Sequence, residues 1–148
     1  MRRDPLQWET AGRSGRGRVR LLAERIAADP APWSSIAELA DCVALSARSF
    51  SRLFAAVTGM PPARFLERSR VALACALLEE RCWLASAVAR RAGFRNEERM
   101  RRAFHRVLGV SPRAYVNAAA ARSAGTAWGP SILAASACAL PRPTPTPR

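Results

Sequence analysis

The sequence predicts an all-α fold of two helix-turn-helix units joined by a long linker helix, and three observations carry that expectation. Ala, Leu, Arg and Glu dominate residues 18–117, and no run alternates β-branched with polar residues. A pattern repeats at an offset of 50: Ser46, Phe50, Arg52, Phe54, Val57, Gly59, Pro62 and Phe65 recur as Asn96, Met100, Arg102, Phe104, Val107, Gly109, Pro112 and Tyr115. Each copy also pairs two short helical stripes across a tight turn and ends the second stripe at a glycine.

The elements follow in order. Val19, Leu22, Ala23 and Ile26 share one helical face, and Asp29-Pro30 ends that helix. Ser35-Ile36-Ala37-Glu38 is a capping box opening a short helix whose stripe is Ile36, Leu39, Ala40 and Val43. Small Ala40 permits close approach of the next helix, Ala44-Leu45 makes the turn, and Ser46 caps a helix over about 47–58. That helix is expected to bury Phe50, Leu53, Phe54 and Val57 and to close on Gly59. Pro62 opens the linker helix, expected to run to about Glu80. At a rise of about 1.5 Å per residue it spans roughly 28 Å, close to the ~34 Å between successive major-groove faces of B-DNA.

In the second copy Val88, Ala89 and Ala92 supply the first stripe and Gly93-Phe94 the turn. Asn96 caps a helix over about 97–108 with Met100, Phe104, Val107 and Leu108 inward. Val88-Ala89 follow Leu39-Ala40 by 49 residues, so the second turn is one residue longer. Trp33 and Trp83 lie 50 apart and are expected to pack beneath the first helix of each unit. Leu84 stands where a capping Ser, Thr or Pro is expected, and Ala87 where an acid is expected. The helix around Ala85–Ala92 therefore has a weak start, by something on the order of 1 kcal/mol. Residues 1–17 read as a flexible basic arm and 118–148, ending PRPTPTPR, as a disordered Ala/Pro-rich tail.

The formal net charge is +13, from 24 basic residues, all arginine, against 11 acidic ones. Residues 18–80 set eight Arg against seven acids, whereas 81–117 set nine against two. The excess points to nucleic acid or an anionic surface as partner. A coding bias towards arginine explains the missing lysine but not the imbalance. Cys42, Cys75, Cys82 and Cys138 form no C-x-x-C pair, and His105 is the only histidine, so no zinc or other cofactor is expected and the thiols read as reduced and buried. No Gly-rich phosphate loop, paired-carboxylate site or partner for His105 suggests an enzyme. Arg2-Arg3 lead into polar sequence, so no secretory leader is expected. Ile132–Leu140 is too short an apolar run to enter a membrane.

Over about residues 18–116 the chain resembles the DNA-binding domain of the AraC/XylS family of transcription regulators. The carrying residues are S-x-R-x-F-x-R-x-F over 46–54, G-x-x-P at Gly59–Pro62 and Phe65-Leu66 in the first copy, then Gly93-Phe94, R-x-F at Arg102–Phe104 and GVSP-x-x-Y over 109–115. The E-E-R-M-R-R-A-F wording is most similar to the branch fused to a glutamine-amidotransferase-like sensor domain. The resemblance implies homeodomain-like units, the helices about 47–58 and 97–108 entering adjacent major grooves of double-stranded DNA, and sequence-specific transcription regulation. It further implies a cytoplasmic, nucleoid-associated protein with RNA polymerase as a further partner; the oligomeric state is left open, and two reading units in one chain allow binding as a monomer. A sensor domain usually precedes this module, whereas only 17 residues do here. A truncated regulator without regulatory activity, and a non-specific nucleic-acid binder, are the alternatives.

Seven residues are the candidate DNA contacts. Arg52 and Arg102 are repeat partners opposite the apolar face and match family contacts to DNA. Arg48 and Arg101 are exposed positions suited to base or phosphate. Glu97 and Glu98 lie where the family reads bases; a carboxylate accepts from cytosine N4, or simply complements the helix dipole. Ser51 is either a base contact or a small residue that lets the helix sit deep. Arg90 and Arg91 are expected to touch the phosphate backbone or solvent. Phe50, Phe54, Met100 and Phe104 are core.

Overall fold

In a computed structural model of the chain, the described residues are 14–80 and 83–123. They form helices α1 (Gly15–Ala28), α2 (Ile36–Cys42), α3 (Ala47–Thr58), α4 (Pro62–Glu79), α5 (Ala85–Arg91), α6 (Glu97–Leu108) and α7 (Pro112–Ser123), with no strand among them. The chain divides into two units between Leu66 and Glu67, inside α4. The start of α4 thus closes the first unit, and its remainder opens the second.

In the first unit Ser14 caps α1, its hydroxyl accepting the Gly17 N–H at 3.2 Å. Val19, Leu22, Ala23 and Ile26 are buried as the periodicity predicts. Trp33 is 4% exposed and donates its Nε1–H to the Asp29 carbonyl at 3.1 Å, fastening the end of α1. Ser35 accepts the Glu38 N–H at 3.2 Å, while the Glu38 carboxylate accepts the Ser34 N–H at 2.9 Å. The capping box is therefore made, with its return bond one residue upstream of the expected Ser35 N–H. Ser46 caps α3 through the Ser49 N–H at 3.2 Å, and Gly59, at φ 80°, closes it in the left-handed conformation. Phe50 and Phe54 are fully buried, Leu53 and Val57 flank them half-buried, and Phe65 meets Phe54 edge-on at 5.3 Å.

The second unit repeats this construction. Val71, Ala74, Cys75 and Leu77 of α4 join Val88, Ala89, Met100, Ala103, Phe104 and Tyr115 in one core. Tyr115 meets Phe104 edge-on at 6.1 Å, as Phe65 meets Phe54. Asn96 caps α6 through the Arg99 N–H at 2.9 Å, and Gly109, at φ 73°, ends it. The turns share two backbone hydrogen bonds, of which Ala44 N–H to Asp41 O and Gly93 N–H to Arg90 O, both at 3.1 Å, are one pair. Leu45 N–H donates to Ala40 O and Phe94 N–H to Ala89 O, at 3.1 and 2.8 Å. The extra residue of the second turn is therefore Arg95, after the shared bonds and before the cap.

Three expectations change. Residues 15–17 and 118–123 are helical, because Ser14 supplies an earlier cap and the alanines after Tyr115 continue α7. The expected arm and tail otherwise lie outside the described residues. Trp83 does not pack beneath α5: it is 38% exposed and donates Nε1–H to Glu80 Oε2 at 2.8 Å. The reason is register. The front half of the repeat runs at 49, so Trp33 corresponds to Cys82, and Trp83 stands in the place of exposed Ser34. Third, of the cysteines expected to be buried, Cys75 is buried but Cys42 only half so; neither is in a disulfide. Cys82 and Cys138 lie outside the described residues.

Candidate nucleic-acid interface

The second helix of each helix-turn-helix carries the candidate residues, and its local chemistry fixes which face they occupy. Phe50 and Phe54 turn one side of α3 into the first core, which leaves Arg48 and Arg52 exposed and Ser51 half-buried on the other side. Met100, Ala103 and Phe104 do the same for α6, leaving Glu97, Glu98, Arg101 and Arg102 exposed. Of the seven candidates, three lie on α3 and four on α6; six are exposed, and Ser51, expected on the exposed face, is half-buried.

The two faces differ chemically. On α6 the Glu98 carboxylate accepts two bonds from Arg101, Nε to Oε2 and Nη2 to Oε1, both at 2.8 Å. Its Oε1 also accepts from Arg102 Nε at 2.8 Å. These bonds from Arg101 and then Arg102 hold the Glu98 carboxyl at about 2, well below its ordinary 4.5. The same pairing raises the Arg101 guanidinium above its usual value. On α3 the repeat partner of Glu98 is Arg48 and that of Arg101 is Ser51. The helix contains no acid, and among the described residues neither Arg48 nor Arg52 has an ion pair. One face is bare cation; the other is an ion-paired cluster.

Glu97 sits beside Glu98 in the first turn of α6, where the helix dipole favours a negative group. The Glu98 cluster is readable from its i,i+3 and i,i+4 spacing to Arg101 and Arg102. Arg95, in the turn, and Arg99, on α6, are also exposed and did not emerge from the repeat, because neither has an arginine partner in the first copy. Arg106 is engaged by Glu67, so it is not an open phosphate contact. The Arg91 guanidinium lies over the Trp83 ring, 4.3 Å from its centroid, and Arg90 is exposed. Among the described residues no group of acids, histidines and cysteines could hold a metal ion. No described helix is long and apolar enough to cross a membrane.

A family described as a helix-turn-helix domain matches residues 39–118, which takes in both units. The HTH-type transcriptional regulator Rv1931c of Mycobacterium tuberculosis is 44% identical over 80 residues, which are 54% of this chain and 31% of that protein. A protein of Streptomyces lividans named as an AraC-like transcription regulator is 36% identical over 87 residues, 59% of this chain and 29% of its own. The chain therefore spans under a third of the length of these relatives. Among solved structures, the DNA-binding domain of AdpA in complex with a target DNA is similar with a TM-score of 0.66 and 34% identity, covering 70% of this chain and 94% of that one. The C-terminal domain of AraT, a response regulator from Geobacillus stearothermophilus, shares the fold at a TM-score of 0.62 and 20% identity, covering 74% and 88%.

Proposed function

Because this chain belongs to the AraC-type helix-turn-helix family, we propose that it binds double-stranded DNA sequence-specifically and acts in transcription regulation. One observation carries the reading: Arg52 and Arg102 stand at the same exposed position of two capped, core-anchored helices. A guanidinium so placed presents a fork that matches the O6 and N7 edge of guanine in the major groove. The likeness to a domain solved on its target DNA supports the same partner.

Affinity comes from arginine neutralising phosphate, and specificity from α3 and α6, each entering its own groove. Arg48, Ser51, Arg101, Glu97 and Glu98 complete the two reading faces. The arrangement proposed is two half-sites about one turn apart, read by one copy of the chain. The chain works where the chromosome is, in the cytoplasm, and RNA polymerase is the further partner this role implies. Binding alone, rather than catalysis, is the activity assigned.

The test selects duplexes from a random pool and measures binding across a salt series. A selected sequence bound at least about 10³-fold more tightly than random duplex supports the reading. Equal affinity for selected duplex, random duplex and single-stranded RNA would falsify it in favour of a non-specific nucleic-acid binder, the second reading that a net charge of +13 favours.

A further inference from the structure

We infer that Glu98 is a positioning residue that sets the specificity of the second unit, by holding Arg101 and Arg102 in one fixed arrangement on α6. The inference rests on the DNA-reading role proposed above and adds to it a division of labour between the two arginines.

The geometry distinguishes them. Arg101 gives Nε and Nη2 to the carboxylate, a two-point contact that fixes the plane of its guanidinium. Arg102 gives only Nε. Each keeps its Nη1/Nη2 end edge as a fork, because a terminal amino group carries two hydrogens. A bidentate contact to guanine needs two adjacent N–H groups, and Arg102, the repeat partner of Arg52, is the one assigned to the base. Arg101 engages both carboxylate oxygens and keeps the carboxylate ionised and in place. A guanidinium held by one edge has fewer rotamers left to lose when the other edge meets its base. The carboxylate also cancels one positive charge at this face, which weakens attachment to phosphate regardless of sequence. The first unit has no such device, because Arg48 occupies the equivalent place. The second unit therefore discriminates sharply at a guanine, while α3 supplies salt-sensitive attraction. Half-exposed ion pairs of this kind contribute little to stability, so orientation is the role left to them.

The experiment compares the full chain with Glu98→Gln on the selected duplex and on a random duplex, across a salt series. In the variant, random-duplex affinity rises about three- to tenfold and the salt slope steepens by about one. The preference for the selected duplex falls about tenfold, the scale of one lost base contact. The melting temperature is read in parallel and stays within a few degrees. A double variant, Glu98→Gln with Arg101→Gln, restores the net charge; its preference stays low if aim matters and recovers if only charge does. Recovery overturns the inference. So does an unchanged preference in Glu98→Gln, and so does a loss of selected-duplex affinity with random affinity and slope unchanged, which would make Glu98 a direct base contact. A wild-type chain with no preference at all removes the function reading itself and this inference with it.

Discussion

Ala44 and Gly93 do the same job 49 residues apart. Both carry the chain through the left-handed region between the two helices of a unit, at φ 53° and 86°. Glycine has no Cβ to clash there, whereas alanine stores strain on the order of 1 kcal/mol. Ala44→Gly is therefore expected to stabilise the chain by about 0.5 kcal/mol, the strain relieved exceeding the entropy glycine adds to the unfolded state. Urea denaturation of the two proteins checks the sign, and a lower midpoint for the glycine variant would count against it. Glu98 makes a second prediction at this scale. Its folded carboxyl is held at about 2 against an ordinary 4.5, so the unfolded chain takes up the proton first as pH falls. Its stabilising contribution is complete above pH 4.5 and lost as pH falls towards 2. Glu98→Gln should therefore lack part of the acid loss of stability seen in the parent chain, with the two proteins differing most above pH 4.5. The pairs that produce this were visible as spacings in the sequence; which oxygen each guanidinium takes was not, because side-chain conformation depends on three neighbours at once.

At the scale of the element, α2 and α5 are the same helix built with and without a cap. Ser35 accepts the Glu38 N–H, whereas Leu84 holds extended N-cap geometry (φ −68°, ψ 147°) with no side-chain bond to give. Leu84 is also 79% exposed, so nothing is lost by removing it. Leu84→Ser should bond the Ala87 N–H as Ser35 bonds Glu38, stabilising the chain by about 1 kcal/mol. Hydrogen exchange offers the local readout. Amides of α5 should exchange faster than those of α2 in the parent chain, and the serine variant should narrow the gap. If α5 is already as protected as α2, the missing cap does not matter. Caps, turns and glycine stops were legible in the sequence because they depend on residues within four positions of one another. Trp83 was misread because two offsets, 49 and 50, meet inside the second turn, and a repeat matched at its back half places the front half one residue out.

At the scale of the whole molecule, two copies of one construction differ in the charge they present. Residues 81–117 hold most of the basic excess, yet Glu98, Glu67 and Trp83 each engage arginines of that half. The bare cations of the reading helices include Arg48 and Arg52 on α3 and Arg99 on α6. Arg52→Ala is accordingly expected to cost about 1–3 kcal/mol on the selected duplex and, because its charge is unpaired, to weaken binding to random duplex as well, with a salt slope shallower by about one. Arg102→Ala should cost about 1–3 kcal/mol on the selected duplex and little on random duplex. Anisotropy titrations of both variants on both duplexes check this, and a uniform loss with Arg102→Ala would move that residue from base to phosphate.

The sequence by itself determined the all-α class, the two-unit repeat, the linker helix, the buried phenylalanines and the exposed sides of α3 and α6. Each follows from helical periodicity and from short-range signals that need no knowledge of the rest of the chain. Tertiary structure decided how far α1 and α7 extend, that Trp33 is core while Trp83 is a surface partner of Arg91, and which arginines are already engaged. Those outcomes turn on the competition among several groups for one carboxylate or one cavity, and spacing along the chain does not rank the competitors.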